Sequence, residues 1–176
     1  MLPIERLNRK KRNSLYGGLV PLFKLMANFK SILDKWSKSL PEMIKRVMSS
    51  KTISEKIIEL NQFQLKILGE DVNGEKLRTY SATGGNAYSA FTIEKKKEKG
   101  QPYDHVTLFD TGRFYKTFST ITNDQFSQVK ADSKVEDGDI SDNVDLSNVY
   151  GLTKESKQEL VQYLRMPLIR EFKNGL

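Results

Sequence analysis

From Leu22 the apolar positions Leu22, Leu25, Met26, Phe29, Ile32, Leu33, Trp36 and Leu40 step by three and four, which predicts an amphipathic helix. Pro41, with Ser39 ahead of it, suits the first turn of a new short helix carrying Met43, Ile44, Val47 and Met48, so a kink or break is expected there. Ser50 or Thr52 can cap a following helix, with Glu55 three residues past Thr52 completing a capping-box pattern. Ile53, Ile57, Leu60, Gln64 and Leu68, flanked by Ile58 and Phe63, describe its buried side, and Gly69 fits its C-terminal stop. Such an aromatic and methionine stripe marks core or helix–helix interface rather than a cofactor site. The helical third therefore spans residues 22–68.

The pattern then changes. Asp71-Val72-Asn73-Gly74 predicts a turn with positive φ at both central positions. Residues 70–102 read as a long loop; residues 76–101 show no sustained period and contain Gly84-Gly85 and Lys95-Lys96-Lys97, which makes them either a partner-binding loop or partly disordered, expected to order only in an assembly. Val106 to Phe109 has strand composition, and two alternating runs, 118–122 and 126–130, joined by Asn123-Asp124-Gln125, predict a hairpin; together they give a small antiparallel sheet over residues 104–131. Between strand and hairpin, Asp110-Thr111-Gly112 is a hinge in which a short side chain can cap free backbone N–H groups and Gly112 can take positive φ, aiming Phe114 and Phe118 into the core. An acidic loop over 132–148 precedes a helix over 153–172, with Thr153 as cap, Glu155 and Glu159 early, and Arg165, Arg170 and Lys173 late. Leu160, Val161, Leu164, Leu168 and Ile169 line its apolar side, and Pro167 should kink it. The expected fold class is α+β: N-terminal helices and a C-terminal helix on a small antiparallel sheet, with a basic arm over 1–18 and a single domain over 19–176.

Charge refines this picture. The net +7 lies wholly in the first third: residues 1–60 hold 13 Lys and Arg against 5 Asp and Glu, whereas 61–176 hold 16 against 17. Arg6, Arg9, Lys10, Lys11 and Arg12 form the arm, and with Lys95, Lys96 and Lys97 they are the candidate contacts to DNA or to an acidic partner. The arm has no interleaved aromatic residue for stacking on bases. The sequence holds no cysteine, so it offers no disulfide and no thiolate ligand or nucleophile. It also has no apolar run of membrane-spanning length and no signal-like N-terminus, which predicts a soluble, unsecreted chain made in a reducing cytoplasm.

Candidate chemistry is sparse. Asp110-Thr111-Gly112 matches the loop of aspartic proteases, but the chain has no second such triplet to share a proton, and Arg113-Phe114-Tyr115-Lys116 follows in place of further strand. Gly84-Gly85-Asn86 lacks the Lys-Ser/Thr of a phosphate-binding loop. A calcium loop started at Asp137 places Asp142 where glycine is needed and Asn148 where the bidentate glutamate belongs. His105 has no second histidine or cysteine to form a metal site or triad, which leaves it a surface or hydrogen-bonded role. No enzyme activity, cofactor, metal, small molecule or membrane partner is expected.

A longer pattern carries more weight. Gln64-Leu65, Leu68-Gly69, Asp71 and Gly74 are followed by Tyr80-Ser81, then Lys95-Lys96-Lys97, then Gly100-Gln101-Pro102, and finally Thr107-Leu108-Phe109-Asp110-Thr111-Gly112-Arg113-Phe114-Tyr115. This order, over about residues 55 to 155 and including Tyr150-Gly151-Leu152-Thr153, resembles the head-tail connector, tail-completion and minor tail proteins of tailed bacteriophages. Thr117 stands where that pattern commonly has serine, and the N-terminal extension lies outside it. The resemblance implies a structural virion protein made in the host cytoplasm. It would form a homo-oligomeric ring, six- or twelve-fold, that joins portal or connector to tail proteins at the neck or upper tail and touches packaged DNA. A basic nucleic-acid-binding module is the alternative.

Overall fold

The computed structural model describes residues 19–82, 84–123, 127–135 and 138–174. The basic arm, with Arg6, Arg9, Lys10, Lys11 and Arg12, lies outside them. The chain divides into two units, Met1–Glu42 and Met43–Leu176. Helix α1, Leu19–Met48, passes through the division and runs on through Pro41 as one helix, so of the kink or break expected there the break does not occur. In the first unit Phe29, Ile32, Leu33 and Leu40 remain exposed.

The second unit holds the core and is α+β. Helix α2, Lys51–Phe63, starts at Ser50, which takes the extended N-cap conformation but makes no side-chain cap bond, so Thr52 lies inside the first turn and the capping box does not form. The last turn widens to a π-helix over Gln64–Leu68 and stops at Gly69 in the left-handed conformation, φ 64°. A Cβ on Gly69 would meet His105 Cδ2 at 2.7 Å and Val106 O at 3.0 Å, so the stop needs glycine for space as well as for its backbone. Ile53, Ile57, Leu60, Gln64 and Leu65 are buried, whereas Phe63 and Leu68, predicted on that side, are exposed.

Two buried amides fasten α2 to the rest of the chain. Asn61 Nδ2 donates to Val149 O at 3.1 Å and to Gly151 O. Gln64 Nε2 donates to Glu70 O, while Gln64 Oε1 accepts from Thr153 N at 2.9 Å. Asn61 Nδ2 and both polar atoms of Gln64, on residues 0% exposed, thereby satisfy loop backbone that would otherwise be buried unpaired, while Asn61 Oδ1 itself has no partner.

The segment predicted as a long loop is largely organised within the single chain. Asp71 accepts from the backbone N–H groups of Asn73 and Glu75, fixing a turn in which Gly74 alone takes positive φ. Val72 N donates to Asn148 O, and Tyr80 N to Asn143 O, tying the stretch to the region before the last helix. Helix α3, Ala90–Glu98, is capped by Ser89, whose hydroxyl accepts from Thr92 N at 3.3 Å, and it carries Lys95, Lys96 and Lys97.

The single sheet expected over 104–131 is not formed. Val106–Phe109 pairs with no strand. The predicted hairpin exists as β1, Ser119–Thr122, paired antiparallel with β2, Ser127–Lys130, and Ser119 faces Lys130 in register. A second hairpin, β3 at Lys134–Val135 with β4 at Gly138–Asp139, lies in the stretch read as an acidic loop. Helix α4, Arg113–Lys116, leads into β1 and sets Phe114 and Phe118 in the core, 2% and 8% exposed, with their rings edge to face at 5.0 Å.

Helix α5, Lys154–Asn174, begins with Ser156 N donating to Thr153 Oγ1, as the sequence predicts, and runs through Pro167. It packs on α2, and Lys56 of α2 reaches Glu159 at 2.9 Å. Leu160 is buried and Leu164 and Leu168 are half-buried, while Val161 and Ile169, predicted on the apolar side, are exposed.

Candidate functional site

Val106–Phe109 fails to become a strand because side chains satisfy its backbone. Thr107 N–H donates to Tyr88 Oη at 2.8 Å, and the Tyr115 hydroxyl donates to the Thr107 carbonyl. Thr107 Oγ1 accepts from Phe109 N at 3.3 Å, and the Phe109 carbonyl accepts from Lys96 Nζ at 2.9 Å. Gln101 Nε2 donates to the Asp110 carbonyl at 2.9 Å. With these groups engaged, little of the ladder remains for a partner strand. Leu108, between the gripped residues, takes φ 51°, a conformation costly for a branched side chain and held here by bonds on both sides.

This segment floors a half-open cleft of about 680 Å³ between α3, the Asp110-Thr111-Gly112 turn and the region from β4 to Val144. Lys95, Lys96, Asp110, Thr111 and Gly112 all line it, so the structure brings together candidates that the sequence lists separately. Lys97 points elsewhere, its amine 4.9 Å from the Tyr103 ring centre.

The roles differ from those expected. Asp110 caps nothing: α4 has no side-chain cap, and the Asp110 carboxylate pairs with Lys99 instead. Gly112 does take positive φ, 80°, and its missing Cβ would sit 3.0 Å from Phe109 Cε2. Lys96, a candidate contact to DNA or an acidic partner by sequence, is only 8% exposed. Its amine reaches Gln101 Oε1 and Thr107 Oγ1 besides Phe109 O and lies 4.9 Å over the Tyr88 ring. Burial lowers its pKa from the ordinary lysine value, partly offset by Asp110. An amine so occupied holds the loop in place. Lys95 stays exposed over Phe91, which is itself 65% exposed.

Asp139, another carboxylate lining the cleft, is tied to its own loop. Asp139 Oδ1 accepts from Ser141 N at 2.9 Å and Ser141 Oγ at 2.7 Å, and hydrogen bonds from Ser133 first and then Ser141 lower its pKa. Among the described residues no three His, Cys, Asp or Glu side chains are grouped to hold a metal ion. His105 lies against Gly69, with Nδ1 2.8 Å from Asp104 Oδ1 and Nε2 3.2 Å from the Lys66 carbonyl, a hydrogen-bonded role.

Sequence reasoning passed over Tyr88, Tyr115, Gln101 and Lys99. The two tyrosines are set far from Thr107 along the chain or on a different element, and no local period marks them. Thr117, at the position where serine is common in the resembling pattern, uses its hydroxyl twice, donating to Phe114 O at 2.7 Å and accepting from Asp132 N at 2.9 Å. No family model, curated protein or solved structure matches the chain.

Proposed function

We propose that this chain is a structural protein of a tailed-bacteriophage particle, forming part of a closed ring at the neck or upper tail that joins portal to tail and helps retain the packaged DNA. The observation that carries this reading is the distribution of apolar surface. Among the described residues sixteen large hydrophobic side chains are exposed, against fifteen hydrophobic residues buried in the core. Scattered exposed hydrophobics are ordinary in a monomer, but grouped ones mark contact surfaces. Here they gather along α1, at the end of α2 with Phe63, Ile67 and Leu68, and on α5 with Val161, Met166 and Ile169. A shallow depression of about 390 Å³ beside Phe63 and Ile67 gives one of these groups a concave edge.

The same order of residues that resembles the phage proteins forms the scaffold of this unit: Gln64 and Gly69 at the end of α2, the Asp71 turn, Lys96, Gln101 and the Asp110-Thr111-Gly112 turn. Identical copies that meet through different patches on each side close into a ring by rotation. Sedimentation and negative-stain imaging of the purified full chain test the proposal. Closed rings of six or twelve copies are expected, and a protein that stays monomeric at tens of micromolar would overturn it.

A second reading has its own support in α3. Lys95 lies over exposed Phe91 and Lys97 over exposed Tyr103, pairing cations with aromatic faces on which bases can stack. A monomer that binds single-stranded DNA with a steep salt slope, lost on Phe91→Ala with Tyr103→Ala, would favour a nucleic-acid-binding module instead.

A further inference from the structure

We infer that α1 is a self-association helix, whose apolar face packs against the α1 helices of other copies of this chain in a parallel bundle of three or more. This names a self-contact within the assembly proposed above and rests on it only in that both require copies to associate. The argument starts from register. Leu22, Phe29, Trp36 and Met43 recur every seven residues, and Leu25 and Ile32 follow the first two by three. Met26, Leu33, Leu40 and Val47 form a third column with the same period. A seven-residue return kept over four repeats is the mark of helices that pack along their length on other helices. In the first two repeats three apolar columns per seven residues, rather than two, make a face wide enough for more than one neighbouring helix, and Ser39 ends the middle one.

The area is of the right order. Phe29, Ile32, Leu33 and Leu40, all on these columns, are 45% to 61% exposed. They leave on the order of 350 Å² uncovered, approaching half of the roughly 800 Å² per partner of a stable interface. The third column also ends inside protein: Val47 is 7% exposed in the core of the second unit, so this face of the helix already packs as protein interior at its C-terminal end. An anionic lipid surface is the other occupant a basic amphipathic helix suggests. It would favour a uniformly basic polar face, whereas Asp34 and Glu42 lie among the lysines of α1. Three or more copies gathered around one rotation axis that runs along the helices are parallel and in register, which brings each residue of the seam beside its own equivalent.

The cysteine-free sequence makes the test clean. Full-length Ile32→Cys, on the seam, and Asp34→Cys, on the polar face, are treated with a short bismaleimide and followed by denaturing electrophoresis. Ile32→Cys is expected to couple to itself at least tenfold faster than Asp34→Cys. Native mass spectrometry of Ile32→Asp should show oligomers of three or more lost while the melting transition of the folded unit stays in place. Equal coupling rates in a protein that still forms rings would overturn the α1 contact and leave the ring reading intact. Fast Ile32 coupling in small oligomers without rings would uphold the contact and sink the ring. A monomer that couples at neither position but co-sediments with phosphatidylserine vesicles would overturn the inference in favour of a lipid surface.

Discussion

At the scale of single residues, the fold turns on how Thr107 is held. Tyr88 accepts from its N–H and Tyr115 donates to its carbonyl, so either Tyr→Phe change leaves one buried backbone group of a residue 1% exposed without a partner. Each is expected to destabilise the protein by about 1–3 kcal/mol in urea titrations. The pH dependence carries a sign. Burial raises both tyrosine hydroxyls above the usual 10.0, so the stability tied to their protonated forms is complete below about pH 10 and is lost as pH climbs past it toward the raised folded values. Lys96 works the opposite way, because burial lowers its amine below 10.5: its charged form weighs against the fold, and that penalty lifts as pH rises through the lowered value toward 10.5. Urea midpoints measured from pH 8 to 11 should therefore fall less steeply above pH 10 in Tyr115→Phe than in the parent, and Lys96→Met should lack the rise that precedes the fall.

Glycines allow a second comparison at this scale. Gly69 and Gly74 both have positive φ, 64° and 77°, but only at Gly69 would a Cβ strike neighbouring atoms, at 2.7 Å. Gly74→Ala should cost about 1–2 kcal/mol from backbone conformation alone. Gly69→Ala should cost more than that, because His105 and the Val106 carbonyl must also shift, and equal losses in urea titration would contradict the close approach.

Among elements, the Asp110-Thr111-Gly112 turn separates what was legible in the sequence from what was not. Gly112 and the inward aim of Phe114 and Phe118 followed from residue type and spacing, since only glycine readily takes φ 80° and the aromatic pair lies four residues apart. The role of Asp110 did not, because its partner Lys99 sits on a different element and nothing local announces the pair. Both side chains are about half exposed, so solvent screens the pair, and Asp110→Ala is expected to cost under about 1 kcal/mol, with a coupling to Lys99→Ala of the same small size in a double-mutant cycle. A larger loss with no coupling to Lys99 would mean that Asp110 caps α4 after all. Helices α1, α2 and α5 and the β1–β2 hairpin are readable from period and the caps at Gly69 and Thr153 from residue chemistry, whereas α3 lies in the stretch expected to be a loop. Val106–Phe109 and Lys96 were misread for one reason: composition reports what a segment prefers when its partners are local, while here tyrosine hydroxyls replace a strand and a loop carbonyl captures a lysine. Pro41 does not break α1, because the proline rule counts the lost hydrogen bond but not the helix on both sides of it.

For the whole molecule, the useful contrast is between surface that stabilises one copy and surface that joins several. Val161 and Met166 are 60% and 66% exposed on α5, so neither adds much to the fold of a single chain. Substituting both by serine should leave the urea midpoint at low protein concentration within about 0.5 kcal/mol of the parent, as surface changes away from special features do. If α5 supplies an assembly face, the same change should weaken self-association at least tenfold, about 1.4 kcal/mol, when oligomers are followed by native mass spectrometry across a dilution series. Salt provides the complementary arm of this experiment. Contacts between apolar side chains release few counterions, so raising salt from about 50 to 500 mM should leave the assembly constant nearly unchanged, whereas any DNA binding through the arm or α3 should fall by orders of magnitude over the same range. Assembly that dissolves in salt while the double serine variant assembles normally would shift the contact from the apolar faces to the charges, with the excess of Lys and Arg in residues 1–60 meeting the acidic stretch before α5.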